Sequence, residues 1–158
     1  MVTFKNPPKP DPSRSRRLVE EEIYLKMLRA VQRIDYAMQP HFEKHRITHQ
    51  QYNVLRILFV RGQEGLPISE ISQRLVTRVP DMTRLIDRME KTGLVGREPS
   101  TSDRRVVLIH STDKGERIRK LVDELVEAEH ERQFAEMDKD DVRQLDRLLS
   151  RFLGERRR

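Results

Sequence analysis

Apolar residues return at steps of three and four along most of the chain, the spacing of one face of an α-helix. Ile23, Met27, Val31, Ile34 and Met38 form such a stripe between Leu18 and about Phe42, which predicts a long first helix. Pro40 is expected to kink or end it, because proline lacks the N–H and crowds the preceding turn. A second helix is expected from Thr48, where Thr48 and Gln51 have capping-box spacing, to Gly62, carrying Tyr52, Leu55 and Phe59 inward. Pro67 suits the first turn of a third helix, about Ile68 to Leu75, that presents Ile71 and Leu75 to the core.

A fourth helix is expected to start at Pro80, with Asp81 near the positive end of its dipole and Val79, Met82, Leu85, Ile86 and Met89 on its buried side. Gly93 fits a left-handed stop after which Leu94 packs back on Met89. The period then changes. Leu94–Glu98 and Val106–Ile109 read as strands of a hairpin joined by Pro-Ser-Thr-Ser-Asp-Arg-Arg, with Asp103, Arg104 and Arg105 near its tip. Thr112 can cap a fifth helix bearing Ile118, Leu121, Val122, Leu125 and Val126. A sixth, from near Asp138, shows Val142, Leu145, Leu148, Leu149, Phe152 and Leu153. The fold class expected from the pattern is mainly α, six helices, with a small β-hairpin.

Composition sharpens this picture. Only 35% of the 158 residues are hydrophobic and 37% are charged, which is lean for a compact monomer and suits apolar helix faces buried against a second copy. A net charge of +6 points to a polyanionic partner. The proline-rich start, residues 1–17, is expected to be an extended arm; its Arg14, Arg16 and Arg17, like Arg156, Arg157 and Arg158 at the other end, are expected to be solvated. One domain is expected over residues 18–158. Cysteine is absent, which excludes disulfides, thiolate metal ligands and cysteine-based oxidant sensing. No apolar run approaches the ~18 residues of a membrane helix, and the start lacks the apolar core of a signal peptide, so a soluble cytoplasmic protein without a membrane partner is expected.

With its apolar side inward, the fourth helix turns Pro80, Asp81, Thr83, Arg84, Asp87 and Arg88 outward. Such side chains on the N-terminal half of a helix can reach base edges and phosphates of double-stranded DNA, and Arg78 just before the helix joins them. As ordinary surface groups, Arg84 and Arg88 would instead pair with Asp87 or Asp81. Arg104 and Arg105 at the hairpin tip suit a narrow minor groove, where negative potential is focused, and Asp103 suits the turn. His41, His45 and His49 recur every four residues and His110 follows the second strand. Were the first helix to run past Pro40, His41 and His45 would share a face and could hold a divalent metal with Glu43 or Glu116. The expected break argues for solvated or hydrogen-bonded histidines, with no metal and no cofactor. No phosphate loop, nucleophile elbow or paired-acid setting suggests an enzyme. A metal-responsive repressor using His41, His45 and His110 and a sequence-indifferent architectural DNA-binding protein remain as alternatives.

Two stretches carry a resemblance. Met89-Glu90-Lys91-Thr92-Gly93-Leu94-Val95 matches the end of the recognition helix in the MarR family (multiple antibiotic resistance regulators); Asp103, Arg105 and Ile109 match its wing, and Thr112 to Gly115 the opening of its next helix. The chain resembles that family from about Ile23 to Phe152, departing at Ser111, where an aliphatic residue is usual. The resemblance implies a winged helix-turn-helix over about 48–111 and a homodimer formed by helices over about 18–45 and 112–153. Its two recognition helices would meet successive major grooves of a pseudo-palindromic operator, about 34 Å apart. It also implies a repressor released by a small aromatic or anionic effector, with Tyr36, Phe42, His45, Tyr52 and Arg56 near the matching region.

Overall fold

The computed structural model describes residues 16–155; the side chains of Arg16, Arg17 and Gln63 are outside that description, as are residues 1–15 of the expected arm and the terminal Arg156–Arg158 group, while the last two arm positions, Arg16 and Arg17, belong to the first helix. The described chain contains α1 (Arg16–Lys44), α2 (His49–Arg61), a short 3₁₀ turn (Gly62–Glu64), β1 (Leu66–Pro67), α3 (Ile68–Arg74), α4 (Met82–Lys91), β2 (Val95–Pro99), β3 (Val107–Ser111), α5 (Asp113–Gln133) and α6 (Lys139–Leu153). Contacts divide the chain after Ala37 into two units. In the first, α1 leaves Ile23, Tyr24, Leu25, Leu28 and Val31 exposed.

Of the two outcomes expected at Pro40, a kink or an end, the structure excludes the end: the helix runs on to Lys44. A proline removes one backbone donor, and here burial of Met38 and Phe42 on either side of it keeps the chain helical. The stop comes at Arg46, in the left-handed region at φ 55°. The Ile47 amide reaches back to the Phe42 carbonyl at 3.1 Å, and both side chains are buried. This is the hydrophobic closure of a left-handed cap, built without glycine.

In the second unit α2 starts at the expected capping box, Thr48 with Gln51. It is covered by α5, α3 and β3. Tyr52, Val54, Leu55 and Leu58 are therefore its buried residues. Phe59, expected inward, is 54% exposed. The sheet has three strands in the order β1-β3-β2, all antiparallel, where the pattern predicted only a hairpin. The added strand is the two-residue β1, paired through Leu66 with Ile109 and through Pro67 with Leu108. The hairpin strands each sit one residue later at their start than expected.

The strongest local determinant is the end of α4. Gly93 is left-handed at φ 70°; its amide bonds the Glu90 carbonyl at 2.8 Å and the Leu94 amide bonds the Met89 carbonyl at 2.9 Å. These are the paired bonds of a Schellman cap. Thr112 then ties the next helix to this turn: its hydroxyl donates to the Gly93 carbonyl at 2.6 Å and accepts from the Gly115 amide at 3.1 Å. Gly115 has to be glycine because a Cβ there would lie 2.2 Å from the Leu94 carbonyl oxygen. The threonine-x-x-glycine phrase is thus a docking device between α5 and the α4 turn. α6 buries no residue; its Leu148, Phe152 and Leu153 are more than half exposed.

Gly115→Ala should therefore destabilise the fold by about 1–3 kcal/mol through overpacking against backbone. Denaturant unfolding checks this; an unchanged midpoint would refute the docking role.

Candidate nucleic-acid interface

α4 begins at Met82, two residues later than expected from Pro80, because Asp81 has non-helical angles and serves as its cap, accepting from the Arg84 amide at 2.9 Å. Met82, Leu85, Ile86 and Met89 are buried, and Val79 is half-buried outside the helix. The opposite side turns Pro80, Asp81, Thr83, Arg84 and Arg88 to solvent, with Arg78 exposed in the preceding turn. Neither acid on this side forms an ion pair with these arginines. Asp81 is committed to the cap, and Asp87 accepts from Arg97 Nη2 at 2.5 Å while Arg97 Nη1 bonds Glu90 at 2.7 Å. The Asp87 bond, with the charge of Glu90 behind it, raises the Arg97 pKa further above its already high value. Among the described residues Arg78, Arg84 and Arg88 have no ion-pair partner. The pairing of Arg84 or Arg88 with Asp87 or Asp81, expected of ordinary surface groups, is not formed.

The hairpin tip is held by Asp103. Its carboxylate accepts from the Arg105 amide at 2.9 Å and its carbonyl from the Val106 amide at 2.9 Å. The hydroxyls of the buried Ser100 and of Ser102 lie 2.9 Å apart and close the neck of the loop. Arg104 and Arg105 are exposed at the turn. α4 and this loop thus present two separate cationic edges, and Arg97 in β2 ties the strand that leads to the loop to the recognition-type helix.

The histidines disperse. His41 Nε2 lies 3.7 Å from Glu129, His49 stacks on Phe42 with ring centroids 5.1 Å apart, His110 is 3.9 Å from Glu98, and His45 is half-buried in the turn after α1. No group of three potential ligands converges among the described residues. Of the five effector candidates, Tyr52 and Arg56 line one cleft of about 320 Å³ between α2 and α5, together with Phe59, Arg119 and Asp123. Phe42 is a core residue packed at 5.5 Å on Tyr52; His45 is not among the residues of the cleft, and Tyr36 is exposed on the first unit.

A model of the MarR family matches residues 47–107, the span from the start of α2 through the hairpin loop. The HTH-type transcriptional regulator MgrA of Staphylococcus aureus is 30% identical over 137 residues, covering 85% of this chain and 90% of that protein. The chain belongs to the MarR family. It has the winged-helix architecture of a MarR transcription regulator. A MarR transcription factor from Planctomyces limnophilus is 37% identical, with a TM-score of 0.64 over 82% of this chain and 94% of that one. A mutant MarR from E. coli, solved in complex with operator DNA, is 27% identical, with a TM-score of 0.73 over 86% of this chain and 98% of that one.

In this MarR chain the α2–α5 cleft has a polar floor that sequence reasoning missed. The Tyr52 hydroxyl donates to Asp123 Oδ1 at 2.6 Å, and Asp123 Oδ2 accepts from Arg119. Arg119 also bonds Glu116 at 3.0 Å, and its guanidinium lies 3.6 Å from the centre of the exposed Phe59 ring. Arg119 is only 8% exposed. The structure buries Gly115, Arg119, Val122, Val126 and Glu129 of α5, sharing only Val122 and Val126 with the expected apolar set, so two charges stand at buried positions and require partners.

Burial, and then the bond to Asp123, push the Tyr52 hydroxyl well above the ordinary tyrosine pKa of about 10. A raised folded-state value favours the protonated fold, so this contribution is complete below pH ~10 and fades as pH climbs through the folded value. Spectrophotometric titration of wild type against Tyr52→Phe should show the missing phenolate as the late-titrating one; its disappearance from the ordinary range instead would contradict the buried bond.

Proposed function

We propose that the protein is a homodimeric repressor that binds a pseudo-palindromic operator in double-stranded DNA and is released by a small aromatic or anionic effector. The observation that carries the DNA reading is the unpaired basic side of α4: both acids beside it bond elsewhere, and Arg78, Thr83, Arg84 and Arg88 face solvent. In this reading Thr83 and Arg84 meet base edges in the major groove, Pro80 and Asp81 fix the entry of the helix, and Arg78 and Arg88 meet phosphates. Asp103 shapes the wing so that Arg104 and Arg105 enter the flanking minor groove. The E. coli relative solved in complex with operator DNA supports the reading that the chain binds DNA.

The domain reading is a single MarR-like domain over 18–158 whose winged helix occupies about 48–111, with dimerising helices over about 18–45 and 112–153. What supports the dimer is the apolar surface left on the terminal helices: Ile23, Leu28 and Val31 on α1, and Leu148, Phe152 and Leu153 on α6. Rows of this kind on two helices are costly in water and favour a partner face. The effector reading rests on the α2–α5 cleft, where Arg56 has no ion-pair partner among the described residues and lies beside the exposed Phe59 and Val60.

Arg84→Ala and Arg105→Ala should each weaken binding to a duplex selected from a random pool by about 1–3 kcal/mol. Binding should fall with salt at a log–log slope of about −0.9 per phosphate contacted, less steeply in Arg78→Ala. Fluorescence anisotropy measures both. Affinity equal for selected and random duplexes would replace this reading with sequence-indifferent DNA binding, and undiminished affinity in Arg105→Ala would remove the wing contact.

A further inference from the structure

We propose that Tyr52, Asp123 and Arg119 form a latch that fixes the setting of α2 on α5, and through α2 the presentation of the DNA-facing side; the inference rests on the DNA reading above. The polar contacts between α2 and α5 cluster in one place. Tyr52 and Phe59, two turns apart on α2, are held by Asp123 and Arg119, one turn apart on α5. Tyr52 is 3% exposed and Arg119 8%, while the Asp123 side chain is 27% exposed, so the group is a part-buried, charge-assisted set with both Asp123 oxygens occupied.

The start of α2, immediately before Tyr52, lies beside the elements proposed to face DNA. Thr48, Gln50 and Gln51 from its first turn line one cleft of about 330 Å³ with Arg78, Pro80 and Arg88. α2, 13 residues long, is thus tied to α5 at Tyr52 and Phe59 and flanks the arginines at its start. Apolar contacts along a helix tolerate small rotations and slides, whereas the Tyr52 hydroxyl bond across the two helices, to a carboxylate that Arg119 orients from its own helix, is directional. The latch therefore removes a freedom that docking on DNA would otherwise have to remove, which is preorganisation. Tyr52, Asp123 and Arg119 are positioning residues in this scheme: none belongs to the surface proposed to touch DNA.

The test uses the full chain as wild type, Tyr52→Phe, Asp123→Asn and the double variant, each confirmed folded by circular dichroism at the assay temperature. Affinities are measured for a duplex selected by the wild type from a random pool and for a random duplex of the same length. Each single variant should lose roughly tenfold in affinity for the selected duplex, within the usual range of coupling between sites. Random-duplex affinity, which depends on the untouched arginines, should hold. The double variant should be no weaker than the weaker single one, because both break one unit. Selected-duplex affinity kept at the wild-type value in folded Tyr52→Phe would overturn the latch, as would a parallel fall on both duplexes. Should Asp123→Asn not fold, Tyr52→Phe alone decides. A wild type that prefers no duplex would instead sink the DNA reading, and the latch with it.

Discussion

Everything on the DNA-facing side depends on how α4 is seated. Burying Met82, Leu85, Ile86 and Met89 is worth about 1.5–3 kcal/mol for each side chain, an upper figure because the unfolded chain already hides part of that surface. Exposed ion pairs contribute only about 0–1 kcal/mol. The apolar side therefore dictates the rotation of the helix about its axis, and Thr83, Arg84 and Arg88 face outward as a consequence. The Gly93 cap then reverses the chain into β2, and the Thr112 hydroxyl secures α5 to the same turn. Helix, wing and α5 are registered to one another through a few backbone bonds around Gly93.

Charge placement follows the same logic. A basic helix face is useful to a polyanion only if its own acids do not quench it. Asp81 commits its carboxylate to the cap, and Arg97 from β2 holds Asp87 and Glu90 on the flank. This second arrangement also links wing and helix, so the strand that leads to Arg104 and Arg105 is not independent of the helix beside it. Away from that face, the Tyr52–Asp123–Arg119 group ties α2 to α5, a polar contact beside the apolar Val54, Leu55 and Leu58 of the same helix.

Much of this is legible in the sequence because it rests on local spacing. The buried side of α4, the Gly93 stop, the Thr48 capping box and the Thr112 cap each involve residues within about one helical turn, where periodicity and cap chemistry are sufficient. What local spacing misses depends on partners distant in the chain. β1 is two residues long and exists only because β3 offers it an edge. Phe59 is expected inside on a step of four from Leu55; cover on several sides of α2 selects Val54 and Leu58, and Phe59 carries Arg119 on its ring. Pro40 is tolerated because the residues around it are anchored. Arg97 and Asp87 are ten positions apart, beyond any helical rule. The apolar stripes of α1 and α6 are plain in the sequence, but the structure leaves them facing solvent in each unit, so their partner is a matter for the dimer proposal.

Because the chain has no cysteine, one introduced at Thr83 supplies a unique attachment point for a DNA-cleaving iron chelate. The seating of α4, taken with the proposed dimer, predicts cleavage of a selected duplex in two clusters about one helical turn apart, roughly 34 Å between centres, with none from a chelate placed at the exposed Lys120 of α5. Cleavage from position 120 with silence from position 83, while the protein remains bound, would contradict it.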